Sequence, residues 1–218
     1  MLRTSTILLG IACDAQLSST FYDQSCPTAL TTIRTVIRQA VSQERRMAAS
    51  LIRLHFHDCF VQGCDASILL DDTPSMIGEQ NAAPNRNSAR GYGVIHKAKT
   101  EVEKICPGVV SCADILAVAA RDASFCVGGP SWTVKLGRRD STSASKTLAQ
   151  SELPHFEESL DGLVSIFSIA GSHTIGQAQC FLFRNRIHNQ TIIDTGFATT
   201  RRRNCPTSGG DQKLAHLI

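Results

Sequence analysis

Between Arg53 and Asp65 the chain gathers residue types able to move protons, stabilise charge or bind a metal: Arg53, His55, His57, Asp58, Cys59, Cys64 and Asp65. On a helix, Arg53, Phe56 and His57 stand at i, i+3 and i+4 and share a face, whereas His55 and Asp58 point elsewhere. A cation and a titratable ring beside an aromatic side chain suit a reaction in which His57 moves a proton and Arg53 stabilises developing charge. The spacing alone favours a plainer description, an amphipathic helix end with a few polar residues. A zinc site built from His55, His57, Cys59 and Cys64 is a third reading. It is weakened because histidines at i and i+2 diverge on a helix and because an oxidising compartment converts thiols to disulfides.

The elements that must position these residues are mostly helical. Leu30, Ile33, Ile37, Ala40 and Val41 recur at helical spacing between Ala29 and Val41, and the stretch Arg45 to Phe60 is equally compatible with a helix. A polar loop rich in Pro and Asn covers Asp71 to Arg90. Val94, Ile95, Ala98, Val102 and Ile105 then line one face of a third helix, which Cys106-Pro107-Gly108 stops. Ser111 and Asp114 form a start resembling a capping box for a fourth helix, ended by Gly128-Gly129-Pro130. Trp132 to Leu136 reads as a short strand, and a further helix is expected from Leu160 onward. With no internal repeat and no long linker, the expectation is a mainly α single domain.

The 218 residues carry 22 basic and 19 acidic side chains, a net charge of +3, and 42% are hydrophobic, which excludes disorder and extreme polyelectrolytes. So balanced a charge gives no global case for nucleic acid, and Arg201-Arg202-Arg203 reads as a solvated face. No uncharged apolar run approaches the roughly 18 residues that span a bilayer. Residues 1–15 read as a secretory signal peptide, with Arg3, an apolar run from Ile7 to Cys13, and Ala15 at the cleavage position. Cleavage there leaves eight of the nine cysteines, an even count that favours disulfides outside the cell. Cys112 and Cys126 are not expected to pair, because a helix running between them would hold them roughly 21 Å apart. Asn189-Gln190-Thr191 is a glycosylation sequon.

Arg53-Leu54-His55-Phe56-His57-Asp58-Cys59-Phe60-Val61-Gln62-Gly63-Cys64-Asp65-Ala66-Ser67 resembles the distal haem motif of the secretory plant haem peroxidases, the class III group. The resemblance runs from about Gln16 to about Ala215. It passes through Asn85-Arg86-Asn87-Ser88-Ala89-Arg90-Gly91, Gly129-Pro130-Ser131-Trp132, Gly137-Arg138-Arg139-Asp140 and Gly171-Ser172-His173-Thr174-Ile175-Gly176. It implies the helical haem peroxidase fold over residues 16–218, with haem b and Ca²⁺ as cofactors and hydrogen peroxide and small phenolic donors as substrates. It also implies a monomer that is secreted to the apoplast or cell wall, or delivered to the vacuole, and serves cell-wall phenolic chemistry and the response to oxidative stress.

By the same resemblance His57 takes a proton from peroxide and returns it to the departing oxygen, and Arg53 stabilises the charge formed as the O–O bond breaks. Phe56 packs over the haem, Asn85 and Glu79 form a hydrogen-bond chain that orients His57, and Pro154 lies beside the opening for aromatic donors. His173 is the implied axial ligand of the iron, with the small residues Ala170, Gly171 and Ser172 allowing backbone to approach the porphyrin. Asp58, Asp65 and Ser67, with the backbone oxygens of Val61 and Gly63, match a distal calcium site, and Thr174 matches part of a second one. The implied disulfides are Cys26–Cys106, Cys59–Cys64 and Cys180–Cys205.

The chain also departs from the family pattern. A loop and the first turns of the proximal helix are missing between Ser165-Ile166-Phe167-Ser168 and Ala170-Gly171-Ser172-His173, which is expected to displace His173. The match stops at Ile218, before the family's last portion and so without the aspartate partner of the proximal histidine, most of the second calcium site and the usual partner of Cys112. Cys112 and Cys126 are therefore expected to be free thiols prone to intermolecular disulfides. These departures motivate a second reading, a catalytically silent, disulfide-bonded secreted remnant that binds calcium without turnover.

Overall fold

The computed structural model describes residues 17–155, 177–189 and 194–216. Its helices in chain order are α1 (Ala29–Gln43), α2 (Met47–Cys59), α3 (Tyr92–Ile105), α4 (Cys112–Cys126), α5 (Lys146–Glu152), α6 (Cys180–Asn189) and α7 (Thr195–Asn204). A two-stranded antiparallel pair, β1 (Gln177–Gln179) and β2 (Leu214–His216), sets Ala178 opposite Ala215. The described residues are thus mainly α.

The core is organised around α4. Ser111 caps this helix, its Oγ accepting from Asp114 N at 3.1 Å. The residues Ala113 to Ser124 are all buried, because α4 is packed by α1, α2 and α3. The many alanines allow close approach, while Ile115 and Leu116 meet Ile33, Ile37, Leu51 and Leu54, all essentially inaccessible to water. Each such buried side chain stabilises the fold by about 1.5–3 kcal/mol relative to exposure. Asp114 is buried with them at an acceptable cost because its carboxylate is fully engaged. It accepts from Tyr22 Oη (2.7 Å), Gly137 N (2.6 Å), Arg138 N (3.3 Å) and Arg138 Nη1 (3.0 Å), which ties the N-terminal loop and the segment after α4 to one point.

α2 carries the chemically interesting residues and is fixed on both sides. Leu51 and Leu54 face α4 and the main core. Phe56 faces a second, smaller apolar cluster with Val61, Ala82, Ala149 and Leu153, which brings the end of α5 against α2. Gly91, at φ +104°, opens α3 where any Cβ would come within 2.9 Å of Leu51, so this close approach requires glycine. Three disulfides complete the frame: Cys26–Cys106 joins the start of α1 to the end of α3, Cys59–Cys64 closes the loop after α2, and Cys180–Cys205 joins α6 to the end of α7.

Several sequence expectations are corrected. Trp132 to Leu136 forms no strand: Leu136 makes one isolated antiparallel bridge to Ser18, and among the described residues no partner continues alongside. Ile105, expected on the apolar face of α3, is 47% exposed because the helix ends there and turns away from the core. The helices α5, α6 and α7 have no counterpart in the sequence reading, and the helix expected from Leu160 onward lies outside the described residues. Among the described residues Cys112 and Cys126 are free thiols. Burial, reinforced by Asp140, pushes Cys112 up to about 11, so at neutral pH it is protonated and a poor nucleophile.

Candidate functional site

Helical spacing presents Arg53, Phe56 and His57 together on α2, and the loop from Glu79 to Ala89 closes over them. His57 is 5% exposed. Its Nδ1 lies 2.5 Å from Asn85 Oδ1, and Asn85 Nδ2 donates to the backbone carbonyl of Glu79 at 2.9 Å. That second bond fixes the amide orientation, so the atom facing His57 is an oxygen that can only accept. His57 Nδ1 must therefore carry the proton, which leaves Nε2 as the basic nitrogen of the ring.

Glu79 enters this chain through its main chain rather than its carboxylate, which is fully buried and turned toward Ser145 N at 3.5 Å. Burial holds the Glu79 carboxyl above its ordinary value, against the lowering effect of Ser67 and Ser145. Arg53 Nη2 donates to Pro84 O at 2.9 Å and to Ser88 Oγ at 3.2 Å. Desolvation draws its guanidinium below the ordinary value, and the group stays cationic. The Phe56 ring meets His57 edge-on at 5.5 Å and Phe60 at 4.2 Å. Pro154 is half-buried and directly follows Leu153, which packs in the Phe56 cluster.

On the other side of α2, Asp58 is completely buried. Its Oδ2 accepts from Ala66 N at 3.1 Å, while Oδ1 has no hydrogen-bond partner. The backbone from Val61 to Ser67 wraps around it through left-handed residues at Gln62, Gly63 and Ala66, and Asp65 Oδ1 accepts from Ser67 N at 3.1 Å. Burial pushes the Asp58 carboxyl up to about 7, helped by the negative charges of Asp65 and Glu79 and opposed by the bond from Ala66. Asp58 Oδ1 and Ser67 Oγ are both buried without a hydrogen-bond partner, a poor arrangement for apolar packing and a suitable one for a hard cation. Asp58, Asp65, Ser67 and the carbonyls of Val61 and Gly63 therefore fit Ca²⁺.

The four residues of the zinc reading are not brought together. His57 turns to Asn85, whereas His55 lies against Cys59, with Sγ 3.5 Å from Nδ1. Burial first, then Arg138, lowers His55 to about 4, so it is neutral at physiological pH. His173 and Thr174 lie outside the described residues, as do Ser165 to Ser172, where the internal deletion is expected. Asn189 sits at the end of α6, exposed, with Nδ2 donating to Asn185 Oδ1. The sequence reading missed the roles of Pro84 and Ser88 in holding Arg53. A backbone carbonyl leaves no mark in a sequence, and Ser88 stood out only as part of a longer motif.

A family described as peroxidase matches residues 33–217. The lignin-forming anionic peroxidase of Nicotiana sylvestris is 66% identical over 226 residues, covering 98% of this chain and 70% of that protein. Peroxidase 5 of Arabidopsis thaliana is 60% identical over 230 residues, covering 100% of this chain and 72% of that protein, and peroxidase P7 of Brassica rapa subsp. rapa is 54% identical over 215 residues, covering 93% and 73%. With a helical fold that sets a base, a cation and an aromatic ring on one helix face, and with relatives this similar along its whole length, the chain belongs to the plant class III peroxidases, a family of enzymes.

Proposed function

We propose that residues 16–218, after removal of a signal peptide at residues 1–15, form a monomeric haem peroxidase domain. It reduces hydrogen peroxide and oxidises small phenolic donors in the apoplast, cell wall or vacuole, where this chemistry serves wall phenolics and the response to oxidative stress. The observation that carries the reading is the 2.5 Å contact between His57 Nδ1 and Asn85 Oδ1, which reserves Nε2 as the base. The donor set fits a haem face: a buried imidazole of fixed tautomer, a half-buried guanidinium and an aromatic ring lie side by side. His173 is the residue assigned to hold the iron. When bound, haem supplies the redox-active iron that receives peroxide and passes oxidising equivalents to the donor.

With haem bound, His57 Nε2 would be the group that takes a proton from one oxygen of peroxide and returns it to the other, which would leave as water. Arg53, held by Pro84 O and Ser88 Oγ through Nη2, keeps its remaining N–H groups for the negative charge that grows on the departing oxygen. Ca²⁺ at Asp58, Asp65 and Ser67 holds the end of α2, one residue beyond His57. Pro154 borders the approach of aromatic donors, a class supported by the lignin-forming relative. Thr174 is assigned to a second calcium site. The test is peroxide-dependent oxidation of a simple phenol by the haem-reconstituted chain. His57→Ala should lower kcat/KM for peroxide by roughly 10²–10⁴-fold while haem uptake is kept, and wild-type turnover in that variant would overturn the assignment.

A further inference from the structure

The segment that leads into α5 is stitched to the loop around Glu79 by three consecutive backbone N–H groups. Ala144 N donates to Met76 Sδ at 3.1 Å, Ser145 N to the Glu79 carboxylate at 3.5 Å and Lys146 N to Ile77 O at 3.1 Å. The first acceptor differs chemically from the others, because peroxide oxidises a thioether and leaves a carboxylate or a peptide carbonyl untouched. We propose that Met76 is a modification site at which hydrogen peroxide converts the thioether to a sulfoxide, and that this releases the start of α5 from the Glu79 loop. The step needs peroxide, as the proposed function does, but no haem, so the two can fail separately.

Three observations carry it. First, the side chain is within reach of a small solute: Met76 is partly exposed and, with Ile77, Ser143 and Lys146, lines an open cavity of about 510 Å³. Second, the sequence supplies an internal comparison. Of the three methionines, Met1 lies in the proposed signal peptide, and Met47 packs against the main core with its sulfur next to Gly91. Third, the Met76 sulfur is structural. Thr73 N donates to Met76 O at 2.8 Å and Met76 N to Thr73 O at 3.2 Å, so the main chain beneath the side chain is fixed. The side chain in turn holds the segment from which α5 carries Ala149, and then Leu153, into the Phe56 cluster.

The chemistry balances. One lone pair of the sulfur receives the Ala144 N–H, and the second attacks an oxygen of hydrogen peroxide. An S–O bond forms, the O–O bond breaks, and the leaving hydroxide takes the proton of the transferred oxygen and departs as water. Sulfur is oxidised and peroxide reduced by two electrons, and a methionine sulfoxide reductase reverses the change. The sulfoxide sulfur carries a partial positive charge and is a poor acceptor, so Ala144 N loses its partner. An N–H that follows the new oxygen instead leaves the register kept by Ser145 and Lys146.

The test uses the full chain, with its haem and calcium as purified and with cyanide added so that any haem iron turns nothing over. Hydrogen peroxide is supplied in excess, oxidation is followed peptide by peptide by mass spectrometry, and deuterium uptake by residues 142–147 is measured before and after. Met76 should gain one oxygen at least about fivefold faster than Met47, and uptake by the segment should rise roughly tenfold. In Met76→Leu, which keeps the side-chain bulk but not the acceptor, uptake should be fast from the outset and unchanged by peroxide. Oxidation of Met47 as fast as that of Met76 would overturn the proposal. Unchanged uptake in the oxidised wild-type chain would do so too, as would a peroxide-induced rise in Met76→Leu.

Discussion

The amide of Asn85 is held by the Glu79 carbonyl with its oxygen toward His57, so a loop residue 28 positions away selects which nitrogen of the histidine is basic. The geometry is a relay of two bonds in which the outer one, Asn85 Nδ2 to Glu79 O, sets the orientation of the inner one. Replacing Asn85 with Ala removes the acceptor that keeps the proton on Nδ1. The expected outcome is a fall of at least about tenfold in the rate of the peroxide step, smaller than for removing His57 itself, with haem affinity unchanged. Stopped-flow mixing of the reconstituted variant with peroxide checks this, and an unaltered rate would show that Asn85 has no positioning role.

Calcium and protons should compete at Asp58. Its folded-state value of about 7 lies above the ordinary 3.8, so without calcium the folded chain keeps a proton between roughly pH 4 and 7 that the unfolded chain has lost. Calcium-free stability therefore falls as pH rises through that window, whereas Ca²⁺ requires the ionised carboxylate. The gain in Tm on adding Ca²⁺ should be larger at pH 8 than at pH 5 and should vanish in Asp58→Asn. Equal gains at the two pH values would place the ion elsewhere.

Tyr22 and Asp114 form the buried polar joint of the fold, linked at 2.7 Å. Tyr22→Phe removes one of the bonds to this carboxylate and leaves Ser111 N without the Tyr22 oxygen from which it is now 3.3 Å distant. A cost of about 1–3 kcal/mol is expected, read as a lower urea midpoint with an unchanged m-value. A midpoint matching wild type would mean that water replaces the hydroxyl.

Much of this was legible before any coordinates. The i, i+3, i+4 spacing put Arg53, Phe56 and His57 on one face, and the Ser111 cap and apolar periodicity located α1, α3 and α4 within a few residues. What was not legible depends on the main chain or on distant packing. The carbonyls of Pro84 and Glu79 that hold Arg53 and Asn85 have no sequence signature. Trp132 to Leu136 has the composition of a strand, but pairing requires a neighbour, and among the described residues only Ser18 is there. The helices α6 and α7 carry short polar and basic sequences, including Arg201-Arg202-Arg203, and are secured by the Cys180–Cys205 bond more than by a strongly apolar face. The sequence grouped His55 and His57 with Cys59 and Cys64, but only His55 lies against Cys59, because His57 points to the other side of the helix and meets Asn85.

The central claim is that this chain uses His57 and Arg53 to activate peroxide at a haem. It is tested most directly by the absorbance spectrum of the protein reconstituted with haem in Ca²⁺, recorded before and after peroxide and again after a phenol. The account predicts a high-spin ferric Soret band that shifts on peroxide addition and returns when the phenol is oxidised, with the shift slowed in His57→Ala. A protein that takes up no haem specifically, or whose Soret band does not respond to peroxide, would contradict it.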